Sequence, residues 1–374
     1  MKKALLRFVF IAAFAAAVAW AGETNAPHET TLIVRNGYII APIYVYDHWR
    51  WFVLDTTRDL TTFHQTFTNH LTAVPTSVVE IMLDAPRSPI YFGPKFFLAG
   101  HHPNPKYVLV DDLRPLEELT AATDGILGLN VLTNYAISFD FVNESVRFET
   151  NAAPSAEALD LSIAKGNRLA FSARLENGKH IALGIDTANG GEISLNSADW
   201  RTAFPSRRVK TKRVMVANAS GKFHLTTTAR LPILKIGNEV YTNLICTRAI
   251  SDASVSSVGA AFLQRHRVSI DYRNCKIVLE RLVDHKPIEN PTGIHLKWIR
   301  RGAVVASVDP DSPAAKSGLA EGDEILRIDG SPIWRNKANQ LLELLGRGDK
   351  EALEIKSLHG TATITNKLDL KDGF

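Results

Sequence analysis

Two stretches of this chain are diverged copies of each other. The segment from Gly128 to Glu149 reads GLNVLTNYAISFDFVNESVRFE, and that from Gly259 to Glu280 reads GAAFLQRHRVSIDYRNCKIVLE. They stand 131 residues apart, and at that offset Gly, Leu, Ser, Asp, Asn and Glu match identically. The same offset carries Trp51-Phe52-Val53-Leu54-Asp55-Thr56 onto Ala182-Leu183-Gly184-Ile185-Asp186-Thr187. Two separated blocks with one spacing imply two homologous lobes of about equal size. Their content is short alternating runs between turn residues, such as Leu32-Ile33-Val34, Ile39 to Val45, Trp51 to Leu54, Ala136 to Phe141 and Val268 to Tyr272, which is an all-β pattern. Helical stretches are few, with Pro115 to Ala121 and Ser197 to Ala203 the best formed. The expected fold is mainly β, with a first lobe over residues 28–150 and a second over 158–284. The segment Asn151 to Ala156 reads as the linker between them.

The first 21 residues read as an export signal. Lys2, Lys3 and Arg7 precede an apolar run from Phe8 to Val18, and Ala19-Trp20-Ala21 offers small residues for cleavage. A membrane anchor is the competing reading, but the run is short for a span. The expected location is therefore the periplasm or the medium. The formal charge of +4 comes mostly from this segment: without it, 40 basic residues face 39 acidic ones. That near-balance argues against nucleic acid as the main partner. The run Arg207 to Arg213 reads as a charged strand edge that discourages pairing. Cys246 and Cys275 are the two cysteines; in an oxidising compartment they form either one disulfide or two separate thiols.

Each lobe has an apolar strand that ends in Asp-Thr. A lone Asp-Thr is an ordinary strand end, but here it occurs twice in register within a repeat. Two lobes related by a pseudo-twofold axis would bring Asp55 and Asp186 together. Adjacent carboxylates resist double ionisation, so they share a proton and titrate as a pair. Such a pair can deprotonate a water while protonating the carbonyl that the water attacks. No metal, cofactor or nucleophilic side chain is required.

On these residues the chain resembles the retropepsin-like aspartic peptidases of bacteria, in the two-lobed form that carries a PDZ domain. The motifs are Leu54-Asp55-Thr56-Thr57 with Asp124-Gly125-Ile126-Leu127-Gly128, and Ile185-Asp186-Thr187-Ala188 with Val258-Gly259. The resemblance implies acid-protease-type β-barrel lobes, catalytic roles for Asp55 and Asp186, and an interlock of Thr56 with Thr187 through hydroxyl-to-backbone hydrogen bonds. The family's Asp-Thr-Gly is broken at its last position by Thr57 and Ala188. Glycine there would admit close approach and unusual dihedrals, and the Thr57 hydroxyl is placed to bond Asp55. The first lobe has no glycine-rich flap, because His64 to Pro75 contains no Gly; Asn218 to Gly221 reads as a hairpin tip in the second.

A charged, proline-bearing linker, Asp284 to Pro291, precedes a third unit over residues 290–374. Gly293 to Leu296 and Val304 to Val308 read as strands, Asp311 to Leu319 as a short capped helix, and Gly322 to Gly330 as a strand closed by an Asp-Gly turn. Ala338 to Leu345 reads as an amphipathic helix, and Ala352 to Lys356 and Ala362 to Leu368 as closing strands. Ser312-Pro313-Ala314-Ala315 with Gly318-Leu319 and Gly322-Asp323 resembles a bacterial PDZ domain. That implies an extended peptide, or a protein C-terminus, added beside Gly293, Ile294, His295 and Leu296. Thr292 stands where that family has an apolar residue. Domain docking within the chain is the competing use of the fold.

Two functions remain open on these grounds: an exported aspartic endopeptidase acting on peptides as a sufficient monomer, and a catalytically silent peptide-binding scaffold. A trypsin-like serine protease is excluded because no Gly-Asn-Ser-Gly-Gly loop exists, and no His-Glu-x-x-His helix supports a metal site.

Overall fold

The computed structural model describes residues 28–75, 89–121, 123–151, 157–164, 168–205, 209–217, 221–249, 255–282, 290–300, 302–333, 345 and 352–370. The leader at 1–21, most of both linkers, Arg207 and Arg208, the tip at 218–220 and all of the helix expected over 338–345 except Leu345 lie outside the described residues. Among the described residues no helix is long and apolar enough to cross a membrane.

The first lobe contains β1 (Glu29–Thr31), β2 (Ile33–Arg35), β3 (Tyr38–Val45), β4 (His48–Leu54), β5 (Thr62–His64), β6 (Ile90–Phe92), β7 (Tyr107–Asp111), α1 (Arg114–Thr120), β8 (Gly125–Leu127), α2 (Leu129–Leu132), β9 (Ala136–Asp140) and β10 (Ser145–Glu149). The second contains β11 (Leu159–Asp160), β12 (Ser162–Ala164), β13 (Arg168–Leu175), β14 (His180–Asp186), β15 (Ile193–Leu195), α3 (Ser197–Ala203), β16 (Thr211–Ala217), β17 (Phe223–Ile236), β18 (Glu239–Arg248), β19 (Ser257–Gly259), α4 (Ala260–Leu263), β20 (His266–Asp271) and β21 (Lys276–Arg281).

The two lobes repeat one topology. The first sheet runs β2-β3-β4-β8-β5-β7-β6 and the second β12-β13-β14-β19-β15-β18-β17-β16. In both, the strand ending in Asp-Thr lies parallel to the short strand that leads into the repeated glycine: β4 beside β8, and β14 beside β19. The parallel pairs β5–β7 and β15–β18 also correspond. Alternation of buried and exposed residues along β13 and β14 shows why these runs fold as strands with one face inward.

A third sheet, β1-β10-β9-β20-β21-β11, joins the lobes. At its centre β9 and β20 are antiparallel, with Ser138 opposite Ser269. These residues are 131 apart, and their hydroxyls share a 2.7 Å hydrogen bond. A residue that meets its own repeat mate marks the pseudo-twofold axis. One apolar cluster, including Phe52, Phe139, Leu183, Val258 and Val268, runs through both lobes.

The C-terminal domain is a sheet of β22 (Ile294–Ile299), β23 (Gly302–Val308), β24 (Glu324–Ile328), β25 (Ser331–Pro332), β26 (Ala352–His359) and β27 (Ala362–Asp369), with α5 (Pro313–Ser317) packed near β27. Ser312 caps α5 by accepting from the Ala315 N–H, and Gly318 closes it in the left-handed region. Its core includes Trp298, Val305, Ile325 and Ile355.

The structure chooses between the two cysteine states and adds partners to the charged strand edge. Cys246 and Cys275 are free thiols rather than a disulfide. Cys246 is buried in β18 opposite Ala229 and Ile193, where desolvation pushes its thiol well up, while Cys275 sits in the turn between β20 and β21. The described part of the basic run begins β16, which is an edge strand, yet the edge is not left to solvent. Arg213 pairs with Asp311 at 3.2 Å, and Asp309 accepts from the Met215 N–H at 2.6 Å.

Candidate active site

Asp55 follows the last residue of β4 and Asp186 is the last residue of β14, and the threonine after each reaches into the other lobe. The Thr56 hydroxyl donates to the Ile185 carbonyl at 2.7 Å, and the Thr187 hydroxyl donates to the Leu54 carbonyl at 2.5 Å. The backbone N–H of Thr56 donates to the Thr187 oxygen at 3.1 Å, and that of Thr187 to the Thr56 oxygen at 3.2 Å. Both side chains are buried. This crossed pair holds the two Asp-bearing loops side by side at the twofold axis.

Each loop is also clamped from behind. The Leu129 N–H donates to Arg58 O and the Ala260 N–H to Asn189 O, both at 2.7 Å and 131 residues apart. The glycines before these helices are required by contact. A Cβ on Gly128 would lie 2.7 Å from the Leu60 carbonyl carbon, and one on Gly259 would lie 2.4 Å from Gly191 O. Any side chain at either glycine would push the loop, and its aspartate, out of place.

The two carboxylates sit in unequal surroundings. Asp55 is 1% exposed and its Oδ1 accepts from the Thr57 N–H at 2.8 Å and the Thr57 hydroxyl at 2.6 Å. The Arg58 guanidinium stands 3.8 Å from its other oxygen. Asp186 accepts one longer bond, from the Ala188 N–H at 3.2 Å. Burial, and then the charge of Asp55, push the Asp186 carboxyl up to about 7; the Ala188 N–H and Arg168 oppose this weakly. Below about pH 7 Asp186 is therefore the member of the pair that keeps a proton.

The departures from Asp-Thr-Gly prove to be of different kinds. Neither Thr57 nor Ala188 lies at positive φ, so neither position strains its backbone. The Ala188 methyl packs in an apolar cluster with Tyr38, Leu113, Leu116 and Leu119, with Ala217 and Phe223 alongside. Thr57, by contrast, spends its hydroxyl on Asp55.

The hairpin of β16 and β17 spans towards the first lobe. Gly221 lies at φ +76°, and a Cβ there would be 2.7 Å from the Pro115 carbonyl carbon, so the hairpin ends against α1. In the first lobe, the stretch without glycine forms a short 3-10 helix over Gln65–His70.

Two site residues escaped the sequence reading. Arg58 has no counterpart in the second lobe, where its repeat mate is Asn189; the 131 offset would have exposed that asymmetry. Tyr38 is buried, and desolvation followed by the charges of Asp186 and Asp55 holds its phenol far above its ordinary range. Nothing in the motif points to it. Among the described residues no three His, Cys, Asp or Glu side chains converge as metal ligands.

In the C-terminal domain, Gly293 lies at φ +73° before β22. Its N–H donates to Asn290 Oδ1 at 3.1 Å, and the Ile294 N–H donates to the Thr292 hydroxyl at 3.2 Å. His295 Nε2 lies 2.8 Å from Asp309 Oδ1.

Comparison with known proteins assigns one part of the chain firmly. The PDZ domain family matches residues 291–370. A protein described as a DegP-like periplasmic serine endoprotease from Halomonas elongata is 37% identical over 70 residues, 17% of this chain and 14% of that one. A protein described as a zinc metalloprotease from Clostridium perfringens is 41% identical over 61 residues, 16% of this chain and 18% of that one. The matches thus span less than a fifth of either curated relative. A retropepsin-like aspartic protease from Rickettsia conorii, known from its crystal structure, aligns over 33% of this chain and 89% of its own length, at 18% identity and a TM-score of 0.26. The protein is a mainly β chain that ends in a PDZ domain, and relatives named as proteases share part of its sequence.

Proposed function

We propose that this chain is an exported aspartic-type endopeptidase in which Asp55 and Asp186 activate a water to hydrolyse peptide bonds, with the PDZ domain serving peptide or partner binding. The observation that carries the reading is the crossed Thr56–Thr187 pair, which holds together the loops of a buried carboxylate, Asp55, and a half-buried one, Asp186. Asp55 takes a proton from the water as its oxygen attacks the peptide carbonyl, and Asp186 gives its proton to the carbonyl oxygen. In the collapse that follows, the amine nitrogen takes a proton from Asp55 and the C–N bond breaks. The hydroxyl proton then returns to Asp186 as the carbonyl re-forms. One chain supplies both carboxylates, so a monomer suffices, and the step uses no cofactor.

The test is to incubate the chain from residue 22 onward with a mixture of denatured-protein peptides from acid to neutral pH, beside Asp55→Asn and Asp186→Asn. New peptide termini are read by mass spectrometry. Cleavage by the wild type alone supports the proposal; cleavage that survives both replacements sinks it.

One observation favours a silent, peptide-holding protein instead: the 2.6 Å bond from the Thr57 hydroxyl to Asp55, which fills an acceptor site that the water needs. Thr57→Gly decides the weight of that bond. A hydrogen bond to a charged group is worth about 1.5–3 kcal/mol. Freeing Asp55 is therefore expected to raise kcat on the order of tenfold. An unchanged kcat would show that the water binds elsewhere on the pair.

A further inference from the structure

The strand of the PDZ domain that would receive a peptide already faces another part of this chain. Among the described residues β22 ends the sheet order, with no strand on its outer backbone edge, the edge that strand addition uses. Against that edge stands the C-terminal end of α1. Asn36 Nδ2 donates to Leu119 O at 2.6 Å and reaches Leu296 O, on β22, at 3.4 Å. Arg35 Nη1 donates to Thr120 O at 3.1 Å, so the last carbonyls of α1 are held in place by the β2–β3 turn. Ala121 follows in the left-handed region at φ +64°. It is 8% exposed and belongs to the apolar cluster of the PDZ domain, with Ile294, Leu296 and Leu345.

The mouth of the groove is closed as well. A terminal carboxylate would need the N–H groups at Gly293 and Ile294, and these are taken by Asn290 Oδ1 and the Thr292 hydroxyl. Asn290 Nδ2 donates to Ile294 O at 2.8 Å, which occupies a strand-edge acceptor. Thr292, the departure from an apolar residue, is thus a built-in substitute for the ligand's carboxylate.

We propose that the PDZ groove is filled in the resting protein by the chain's own residues 119–121, with Ala121 as a resident internal ligand in the apolar pocket. The same contact ties the domain to the β16–β17 hairpin. α1 receives the hairpin end at Gly221, while Asp309 caps the hairpin edge at Met215. An extended peptide with an apolar side chain enters only by displacing α1, and displacement frees the hairpin. The inference does not depend on the chemistry of Asp55 and Asp186.

Hydrogen exchange of the full chain, read by mass spectrometry, tests it with Ala121→Arg and Asn36→Ala. Both variants are expected to speed exchange at 294–299 at least tenfold and to raise it across the hairpin at 211–236. Residues 136–140, in the sheet between the lobes, should remain as protected as in the wild type. Unchanged exchange at 294–299 in both variants overturns the proposal. If Ala121→Arg also loosens 136–140, Asn36→Ala decides: faster exchange confined to 294–299 and the hairpin supports the internal ligand, and wild-type protection at 294–299 overturns it.

Discussion

Asp186→Asn is expected to lower kcat/KM for peptide cleavage by at least about a thousandfold, the size of effect that a lost general acid produces. Asparagine keeps the shape of the side chain and an oxygen for the Ala188 N–H, so the loop should hold while the transferable proton is lost. Asp55→Asn should do the same by removing the base. The two variants are expected to part company in stability. The Asp186 carboxyl is raised from 3.8 to about 7 by burial and by Asp55. Between those pH values the folded chain keeps a proton that the unfolded chain has released. The stability this group contributes is therefore present at pH 4 and is lost as pH rises through 7. The amide that replaces it does not titrate. The Tm of Asp186→Asn relative to wild type should rise from pH 4 to about pH 7 and then level off. A Tm difference that stays constant over that range would contradict the burial of a carboxyl at this site.

Thr187→Val should be the most damaging conservative change in the molecule. Valine has nearly the same volume but cannot donate to Leu54 O or accept from the Thr56 N–H, and both are buried at the lobe junction. A buried polar group left without a partner costs about 1–3 kcal/mol. The loss expected from two such groups is about 2–6 kcal/mol, read as a lower urea midpoint at unchanged slope. Thr56→Val mirrors it, stranding Ile185 O and the Thr187 N–H. Because the four bonds form one unit, the double variant should cost clearly less than the sum of the singles. Strictly additive losses would mean that the threonines act independently and do not form an interlock.

What could be read in advance was what the repeat encodes. The offset of 131 anticipates the matched sheet orders and the paired loop clamps, since each needs only that the same short sequence fold the same way twice. It also places Ser138 against Ser269, because a twofold axis must bring some residue to its own mate. The helices at 114–120 and 197–203 fall within a residue of expectation, as their caps and apolar spacing are local. What could not be read is long-range and particular to one lobe. Asn36 and Ala121 act across gaps of the chain with no periodic signal to link them; Arg58 is local to Asp55 and shows only as a difference between the repeats. The concern that glycine was needed at 57 and 188 for unusual dihedrals fails because the loop turns there at negative φ. The cysteines were undecidable from spacing, since one belongs to a strand core and the other to a turn.

The most direct test of the central claim, that Asp55 and Asp186 work as one acid–base pair sharing a single proton, is the pH dependence of kcat/KM for a peptide that the chain cleaves. The account predicts activity that falls as pH rises through about 7, where Asp186 loses the proton it must donate, and no residual limb in Asp186→Asn. Cleavage that holds level or climbs between pH 7 and 9 would contradict it.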